Sequence, residues 1–362
     1  MSGNVEFTVD LTLRTHGLAD ADTPVLLMVS GGSDSTAMAY LAAMLRRQGS
    51  TGSLSMLHVN HCLRGADADA DEEFVRKLAE LLEIDFTGVS IDVASIAEAE
   101  HGNVEAVARR ERYAAAQDAL AKLCLRAKCP AQNGRIFVAH TVDDRIENFY
   151  MRSIVGTGPG GFRSMRYRNG QIARPLLDCS REELRDYIEH RADTGCLVAR
   201  DASGALWRED ATNEHTDRFR AYVRHEIVPR AQERNPRLRD TLARTMNLIA
   251  DEDDMVATMA DEVAVEHVAW LDGGNACLIG PGFGSVPLPL QRRVVFDVVG
   301  RFLGPDERVE MASVNAVLAG FMDGVPKGGY VMNIQGNLAV SANKKGVRIE
   351  PMASFRTRRK RS

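Results

Sequence analysis

The order of apolar runs in the first 150 residues limits the fold of this chain more than any other feature. Short apolar runs, each long enough for one strand, alternate with longer segments whose apolar residues have helical spacing. Parallel strands need helix-length connections, so the alternation predicts an α/β fold with a mainly parallel, Rossmann-like sheet covered on both faces. The predicted strands are 25–30, 54–60, 84–91 and 135–140, and the predicted helices are 35–48, 67–83, 104–123 and 143–154.

The pattern changes after Gly161, where the regular alternation stops. Residues 173–177 are predicted as an edge or late strand, and Ser180 with Glu183 forms the capping-box pattern that begins a helix. An Arg-rich helix is predicted over about 216–233. We expect a catalytic α/β domain over 1–215, a smaller, mainly helical domain over 216–350 that has a hairpin near 329–349 and serves to bind a nucleic-acid substrate, and a basic, disordered tail over 351–362.

Composition sets outer limits on the class of protein. The 362 residues suit two domains, at about 150 residues each. No apolar run approaches the roughly 18 residues needed to span a bilayer, and no signal-peptide core is present. The six cysteines include no C-x-x-C pair, which argues against a disulfide framework or a zinc ribbon. We therefore expect a cytoplasmic protein that does not contact membranes.

The charge is distributed unevenly along the chain. The net charge is −5, but the last twelve residues carry +5 and no acid, which leaves −10 on the first 350. The tail fits either an RNA-binding arm or a solvated, disordered end, and we favour the second interpretation.

The strongest chemical signal is the segment Ser30-Gly31-Gly32-Ser33-Asp34-Ser35, which lies between a predicted strand and a predicted helix. The glycines let the backbone approach a ligand closely, and the helix that follows presents unpaired N–H groups to an anion. The segment therefore predicts a phosphate cradle, most simply for the pyrophosphate part of ATP. Because no Lys follows, it is not a Walker A loop. The plain alternative is a serine-rich turn in which Asp34 caps the helix.

Two acids begin the helix after the fourth predicted strand. Asp144 and Glu147 are three residues apart, so both carboxylates lie on one helix face, where they can hold an ammonium group or accept a proton. Acids at this end of a helix more often interact only with the helix dipole.

Histidines and arginines supply further candidates. His58, His61 and His140 lie at or just after strand ends, but the sequence has no convincing third metal ligand, so no residue is assigned to a metal. The Arg-rich segment around 218–239 suits RNA phosphates or, equally, a solvated helix with internal salt bridges.

Taken together, these motifs resemble a known family. The S-G-G-x-D-S segment is similar to the PP-loop of the N-type ATP pyrophosphatases, which split ATP into AMP and pyrophosphate. The chain further resembles the tRNA-isoleucine lysidine synthases over about 24–230. The matching segments, in order, are HVNHCLR (58–64), NVEA (103–106) with RRERY (109–113), AHTVDDRIEN (139–148), RPLL (174–177) and DATN (210–213).

The resemblance implies a two-step reaction on the wobble cytidine of the isoleucine tRNA with anticodon CAU. ATP, with Mg²⁺, adenylates the oxygen at C2, and the amine of free L-lysine then attacks C2 and expels AMP. It also implies a possible homodimer. The implied catalytic residues are Asp34, Arg112, Asp144 and Glu147; the implied ATP-binding residues are Ser30, Gly31, Gly32, Ser33, Asp34, Ser35, His58, His61 and Arg64; and the implied tRNA contacts are Arg220 and Arg224.

Two other functions stay open from the sequence. One is a PP-loop enzyme that thiolates tRNA, although enzymes of that kind use paired cysteines and this chain has no C-x-x-C. The other is a protein that binds ATP without turning it over, in which Asp144 and Glu147 would be dispensable.

Overall fold

The computed structural model describes residues 2–63, 65–209, 219–304 and 307–361. The chain divides into two compact units, Met1–Ile249 and Ala250–Ser362. This boundary lies 34 residues beyond the expected one at 215, because the helices after residue 218 contribute to the core of the first unit. Met246 is fully buried there against Val142 and Ile146.

The first unit consists of a six-stranded sheet and its flanking helices. The strands are β1 (Val25–Met28), β2 (Leu54–Asn60), β3 (Asp85–Ser90), β4 (Arg135–Phe137), β5 (Arg168–Asn169) and β6 (Ile172–Ala173). The helices are α1 (Ser2–Thr15), α2 (Ser33–Arg47), α3 (Ala66–Leu81), α4 (Val93–Glu100), α5 (Val104–Arg126), α6 (Val142–Val155), α7 (Pro159–Phe162), α8 (Arg181–Asp193), α9 (Phe219–Tyr222) and α10 (Val228–Arg234). A long helix, α11 (Leu238–His267), begins in the first unit and ends in the second.

The sheet confirms the predicted α/β class. Its strand order is β3-β2-β1-β4-β6-β5, and all pairs are parallel except that of β5 with β6. Side chains alternate between two cores, as a strand buried on both faces requires. Val25 and Leu27 of β1 pack in the core formed with α2, α3 and α8, whereas Leu26 packs with Leu120 of α5 on the other face.

Local differences from the sequence prediction occur where tertiary packing overrides periodicity. α1 and α4 were not predicted, and the late strand expected over 173–177 is limited to the two residues of β6. The Arg-rich helix is interrupted by a π-helical stretch at Val223–Ile227, and its predicted start at 216 lies outside the described residues. The Ser180–Glu183 capping box is confirmed, with the Ser180 N–H donating to Glu183 Oε2 at 2.7 Å.

The second unit combines helices with a five-stranded sheet. The strands of the second unit, of which five form this sheet, are β7 (Val268–Leu271), β8 (Ala276–Ile279), β9 (Phe321–Met322), β10 (Val325–Pro326), β11 (Val331–Ile334), β12 (Leu338–Asn343) and β13 (Gly346–Pro351). Its helices are α12 (Leu288–Phe302), α13 (Met311–Leu318) and α14 (Met352–Arg361). The strand order is β11-β12-β13-β8-β7, with β9 and β10 as a separate pair. The hairpin expected near 329–349 is thus part of a larger sheet than the sequence suggested.

The expected disorder of the tail is wrong for the residues described. Residues 352–361 form α14, which continues directly from β13. Its apolar anchor is Phe355, which is buried. None of the described helices is long and apolar enough to cross a membrane.

Candidate active site

The site forms where three neighbouring parallel strands end. β1 lies between β2 and β4, so the segments that follow these strands meet at one edge of the sheet. The Ser30–Ser35 segment follows β1, His61 follows β2, and Asp144 lies in the first turn of the helix after β4. This is the edge at which open α/β sheets bind ligands.

The Ser30–Ser35 segment is built as the sequence predicts for an anion cradle. Gly31 has φ +97°, a conformation that favours glycine, and Gly32 begins α2 as an N-cap without a side-chain cap. The first N–H groups of α2 are therefore not satisfied by a capping side chain. Ser35 is used differently, because its hydroxyl accepts from the Ser30 N–H at 3.2 Å and donates to the Gly32 carbonyl at 3.1 Å.

Arg208 holds this segment in place, a role that the sequence did not suggest. Its N–H donates to the Gly31 carbonyl at 2.9 Å, and its side chain packs against Gly31. The guanidinium is held in turn by Asp71 and Asp201, each at 2.8 Å. No recognisable motif marks Arg208, and it lies more than 170 residues from the loop that it supports.

The acid pair is confirmed as two neighbouring carboxylates on α6. Asp144 and Glu147 are 7% and 2% exposed. Asp144 also completes a capping box, since its Oδ2 accepts from the N–H of Thr141 at 2.8 Å. Asp144 therefore helps to cap α6 through Oδ2, while its Oδ1 accepts from arginines.

Arg181 links the acid pair to the loop after β1. As the first residue of α8, it donates from Nη1 to Glu147 Oε1 at 2.7 Å and from Nη2 to Asp144 Oδ1. Its Nε lies 3.4 Å from Asp34 Oδ2. One guanidinium thus touches all three carboxylates that the sequence assigned to catalysis. Sequence reasoning missed Arg181 and used its neighbour Ser180 only as a helix cap.

Arg220 and Arg224, expected to contact tRNA, lie against the same acids. Arg220 donates to Glu147 Oε2 and Asp144 Oδ1, both at 2.8 Å, and Arg224 Nε donates to Glu147 Oε1 at 2.7 Å. Their side chains are 44% and 29% exposed, compared with 22% for Arg181. The three acids and three arginines form one neutral network.

The pKa values of two carboxyl groups in the network, those of Glu147 and Asp34, are shifted in opposite directions. Burial disfavours the charged form of Glu147, but the hydrogen bonds and charges of Arg224 and Arg181 outweigh it and lower its pKa to about 2. Burial raises the pKa of Asp34, and Arg181 only partly offsets that effect. Glu147 is therefore the fixed anion of the site, and Asp34 is the better proton acceptor.

Arg112 faces a second, uncompensated part of the site. Its Nε is buried and has no hydrogen-bond partner within the described ranges, and burial lowers its pKa. The Nδ1 atom of His61 is likewise buried without a partner among those residues. Burial lowers the pKa of His61, as do the charges of Arg112 and His58.

His140 stays neutral beside these cations. Burial, opposed by Asp144 and reinforced by Arg174, lowers its pKa to about 4, and its Nδ1 accepts from Arg174 Nε at 3.1 Å. The concentration of positive charge with unused donors, beside a neutral histidine, favours an anionic ligand.

The remaining predicted ATP-binding residues differ in how they are placed. His58 is buried, with Nδ1 2.9 Å from the Val29 carbonyl, so it braces the end of β1. Ser33 is partly exposed, and its hydroxyl donates to Asp34 Oδ1 at 3.2 Å. Arg64 lies outside the described residues. The assignments of individual residues to ATP, lysine and tRNA stay predictions.

The fold and this loop define a nucleotide-binding domain of the PP-loop class. A family model described as "PP-loop domain" matches residues 8–231, and the chain belongs to that family. The resemblance predicted from the motifs is confirmed.

The names of the curated relatives are more specific than the name of the domain family. The chain is 31% identical over 304 residues to a tRNA(Ile)-lysidine synthase of Geobacter sulfurreducens, covering 83% of this chain and 60% of the relative. It is 36% identical over 248 residues to the enzyme of that name from Thermus thermophilus, covering 68% and 43%. The chain spans about half the length of the curated relatives it matches, from 43% to 60%.

Among solved structures, a U34-tRNA thiolase from Methanococcus maripaludis matches with a TM-score of 0.50. The match covers 69% of this chain and 79% of the thiolase at 17% identity. At that identity the similarity concerns the fold alone.

Proposed function

We propose that this protein ligates lysine to C2 of the wobble cytidine of the isoleucine tRNA that carries the anticodon CAU. In the first step, O2 of the cytosine attacks the α-phosphorus of ATP, and pyrophosphate leaves. In the second, the ε-amine of lysine attacks C2, the bond from C2 to oxygen breaks, and AMP leaves with that oxygen. One proton from the amine passes to a base. The product pairs with A in place of G, so the tRNA reads AUA instead of AUG.

The observation that carries this proposal is the contact of Arg181 with Asp34, Asp144 and Glu147. The two half-reactions need a site for the ATP phosphates and a site for the amine, both within reach of the same cytosine. Asp34 belongs to the loop after β1, and the acid pair belongs to α6. Because one guanidinium spans both, the two sites lie within a single side chain's reach of each other. The names of the curated relatives agree with this chemistry.

The ATP end of the proposed reaction uses the loop and Arg112. The free N–H groups at the start of α2 would hold departing pyrophosphate, where the helix dipole also favours negative charge. The unpaired Nε of Arg112 would stabilise the charge that builds on the α-phosphate during adenylation.

The lysine end uses the acid pair. Glu147, with a pKa of about 2, stays ionised and would hold the lysine ammonium group. That cation competes with the arginines already present, and Arg220 and Arg224 are the more exposed of the three. Asp34, with its raised pKa, would accept the proton as the amine becomes nucleophilic.

Mg²⁺ would complete the charge balance on ATP. Among the described residues there is no cluster of three or more His, Cys, Asp or Glu side chains able to hold a metal ion. Such a cluster is unnecessary, because Mg²⁺ is commonly held by one or two carboxylates together with substrate phosphates. Asp34, next to the loop, is the carboxylate that would hold the ion while ATP is bound, and there the ion would neutralise phosphate charge. Asp34 would be free to accept the amine proton only in the second step, after pyrophosphate has left with the ion.

The partners follow from the same proposal. The RNA is the tRNA with anticodon CAU, with Arg220 and Arg224 as contacts once they leave the acids, and the amine is free L-lysine. We expect the enzyme to act in the cytoplasm, where tRNA is modified, and the resemblance suggests a homodimer.

The test is incorporation of radiolabelled lysine into RNA by the pure protein with ATP and Mg²⁺. The expected result is label in tRNA bearing CAU, and none in the same tRNA with U in place of the wobble cytidine. Release of AMP should match the label one for one. ATP binding without label in RNA would overturn the proposal and leave a nucleotide-binding protein, and sulfur incorporation in its place would indicate a thiolating enzyme.

A further inference from the structure

Two cysteines, Cys124 and Cys129, lie at the end of α5 with four residues between them. Both are free thiols, and neither belongs to the candidate active site. The spacing is not that of the C-x-x-C motif common in thiol redox proteins, so no sequence motif suggests that the two act together. The backbone, in contrast, brings them together.

α5 ends in a Schellman motif, in which the chain turns through a residue in the left-handed conformation. That residue is Lys128, with φ +53°. Its N–H donates to the Leu125 carbonyl at 3.1 Å, and the Cys129 N–H donates to the Cys124 carbonyl at 2.9 Å. In this motif the side chains at the positions of Cys124 and Cys129 commonly pack against each other. Here both of those side chains are thiols.

The hydrogen bond between the two cysteines limits the distance between them. With standard covalent geometry, the 2.9 Å from the Cys129 nitrogen to the Cys124 oxygen keeps the two Cα atoms within about 6.8 Å of each other. Disulfides join Cα atoms that are about 4.4–6.8 Å apart. The backbone at the end of α5 therefore permits a disulfide between Cys124 and Cys129 without a change of fold.

The side chains of both cysteines contact the same short segment. Cys124 Sγ lies 3.9 Å from the carbonyl oxygen of Ala131, and Cys129 Sγ lies 3.6 Å from the carbonyl oxygen of Pro130. Burial raises the pKa of the Cys124 thiol, and the charge of the Cys129 thiolate raises it further. The two sulfur atoms are thus close enough to interact.

The two thiols differ in their access to solvent. Cys124 is 1% exposed, and a Cβ atom at Gly134 would lie 2.5 Å from its sulfur, so this thiol is tightly enclosed. Cys129 is half-buried, follows Lys128 and interacts electrostatically with Arg135. Oxidants attack thiols that are partly exposed in positively charged surroundings. A small oxidant therefore reaches Cys129 first, and Cys124 is placed to react with the product from inside the protein.

We propose that Cys124 and Cys129 form a reversible disulfide when the protein meets a hydroperoxide. With hydrogen peroxide, the Cys129 sulfur attacks one oxygen, the O–O bond breaks, and the products are a sulfenic acid on Cys129 and water. The Cys124 sulfur then attacks the Cys129 sulfur, the S–O bond breaks, and a second water leaves with the proton of the Cys124 thiol. Two thiols and one peroxide thus give one disulfide and two waters. A dithiol reductant returns two electrons and two protons and restores both thiols.

The disulfide would keep oxidation at the end of α5 reversible. A sulfenic acid that has no partner thiol is oxidised further to sulfinic and sulfonic acids, which dithiols do not reduce. In a reducing compartment, disulfides are mostly transient and redox-sensing, which suits a pair that is reduced until a peroxide arrives. The inference goes beyond the proposed function and does not depend on it.

The test exposes the native full chain to hydrogen peroxide, blocks the remaining thiols with N-ethylmaleimide and identifies the tryptic peptides by mass spectrometry. Trypsin cleaves after Arg126 and Lys128, so the two cysteines fall in separate peptides, 123–126 and 129–135. We expect these peptides to be linked after peroxide treatment and separate again after dithiothreitol. In C124S the linked pair should be absent, and the 129–135 peptide should be converted to its sulfinic and sulfonic acids severalfold faster than in the native protein.

C196S is the matched control, because Cys196 is an exposed cysteine whose sulfur lies near the Thr194 hydroxyl. It should form the linked pair as the native protein does. The proposal is overturned if the two peptides stay unlinked at peroxide concentrations that oxidise Cys196, if they link only in urea, or if a non-reducing gel shows that the link joins two chains. Should C124S fail to fold, C124A gives the same comparison. The lysine assay does not enter these outcomes, so failure of the proposed function would leave the disulfide proposal standing.

Discussion

The two halves of the candidate site differ in how their charges are satisfied. Around the loop after β1, hydrogen-bond donors are available to a ligand, because α2 has no side-chain cap and Arg112 Nε has no partner among the described residues. Around α6, every carboxylate is already matched by an arginine. The first half is preorganised for an anion, while the second must exchange a partner before it binds a cation. Binding of the two substrates should therefore respond differently to mutation.

The acid half should show the largest effect. D144N and E147Q each remove a charge that the proposed function assigns to the amine, while keeping the side-chain shape. Loss of charge-assisted hydrogen bonds worth about 1.5–3 kcal/mol each predicts at least a hundredfold loss of lysine transfer. Single-turnover lysine incorporation measures it. ATP binding should be nearly native in both variants.

A matched control uses E182Q, the same chemical change at an exposed acid paired only with Arg239 in the described part of the site. It should be close to native. If D144N and E147Q transfer lysine as well as E182Q does, the acid pair is structural and does not bind the amine.

The phosphate half should respond at the other step. R112M keeps the apolar part of the side chain but removes the cation, and loss of one group that stabilises developing charge costs about 10²–10³ in rate. The adenylation step, followed by pyrophosphate release, should slow by that factor, while lysine affinity stays native. R110M, on the same helix but bound to Glu100 and Glu111, is the control. Equal rates for the two variants would contradict the role of Arg112.

Substitution of Arg181 tests whether the loop after β1 and the acid pair on α6 are coupled. R181Q removes a positive charge from beside Asp34 and Glu147, so the pKa values of these two carboxyl groups should rise and the pH–rate profile should shift upward. A loss of about tenfold to a hundredfold is expected in both adenylation and transfer, with R181K intermediate because an ammonium lacks the planar fork. An unshifted pH profile would reduce Arg181 to a packing residue.

The ionic network should also make stability depend on pH. The pKa of Glu147 is about 2 in the folded protein, below the ordinary value of 4.5, so folding favours its charged form. Its contribution is complete above pH 4.5 and is lost as the pH falls towards 2. The depression corresponds to a contribution on the order of 3 kcal/mol. Urea unfolding of native protein and E147Q should give a difference that shrinks over this range. A constant difference would contradict the assignment.

The same contrast explains what the sequence could predict. The parallel sheet, the loop after β1 and the pairing of Asp144 with Glu147 follow from local patterns: strand-length apolar runs, a glycine pair, and a spacing of three on a helix. The anion half is made of consecutive residues, so a motif reveals it. Even there, only the three-dimensional structure distinguishes Ser33, which is partly exposed, from Ser35, whose hydroxyl is bonded within the loop.

What sequence could not provide is long-range pairing. Arg181 and Arg208 carry no motif and reach residues more than 30 and 170 positions away, respectively. A basic run at the end of the chain predicts a disordered tail, yet Glu350 lies eight residues from Arg358 and accepts a hydrogen bond from it across the start of α14. Likewise, the boundary at 249 depends on Met246 packing under α6, which periodicity cannot show.

The two serines of the loop give the smallest predicted effects and the finest test of its preorganisation. Among the described residues, Ser35 makes contacts only within the loop, so S35A should lower the free energy of unfolding by about 1 kcal/mol, or Tm by a few degrees. S35A should also weaken ATP binding, because the loop would hold its ATP-binding conformation less firmly. Ser33 contacts Asp34 near the surface, so S33A should raise the KM for ATP severalfold with Tm unchanged. Thermal unfolding with and without ATP separates the two. If both variants lose ATP affinity at native Tm, Ser35 binds phosphate directly and the loop rearranges on binding. The loop after β1 would then have to give up internal hydrogen bonds before it binds its ligand, as Asp144 and Glu147 have to give up arginines.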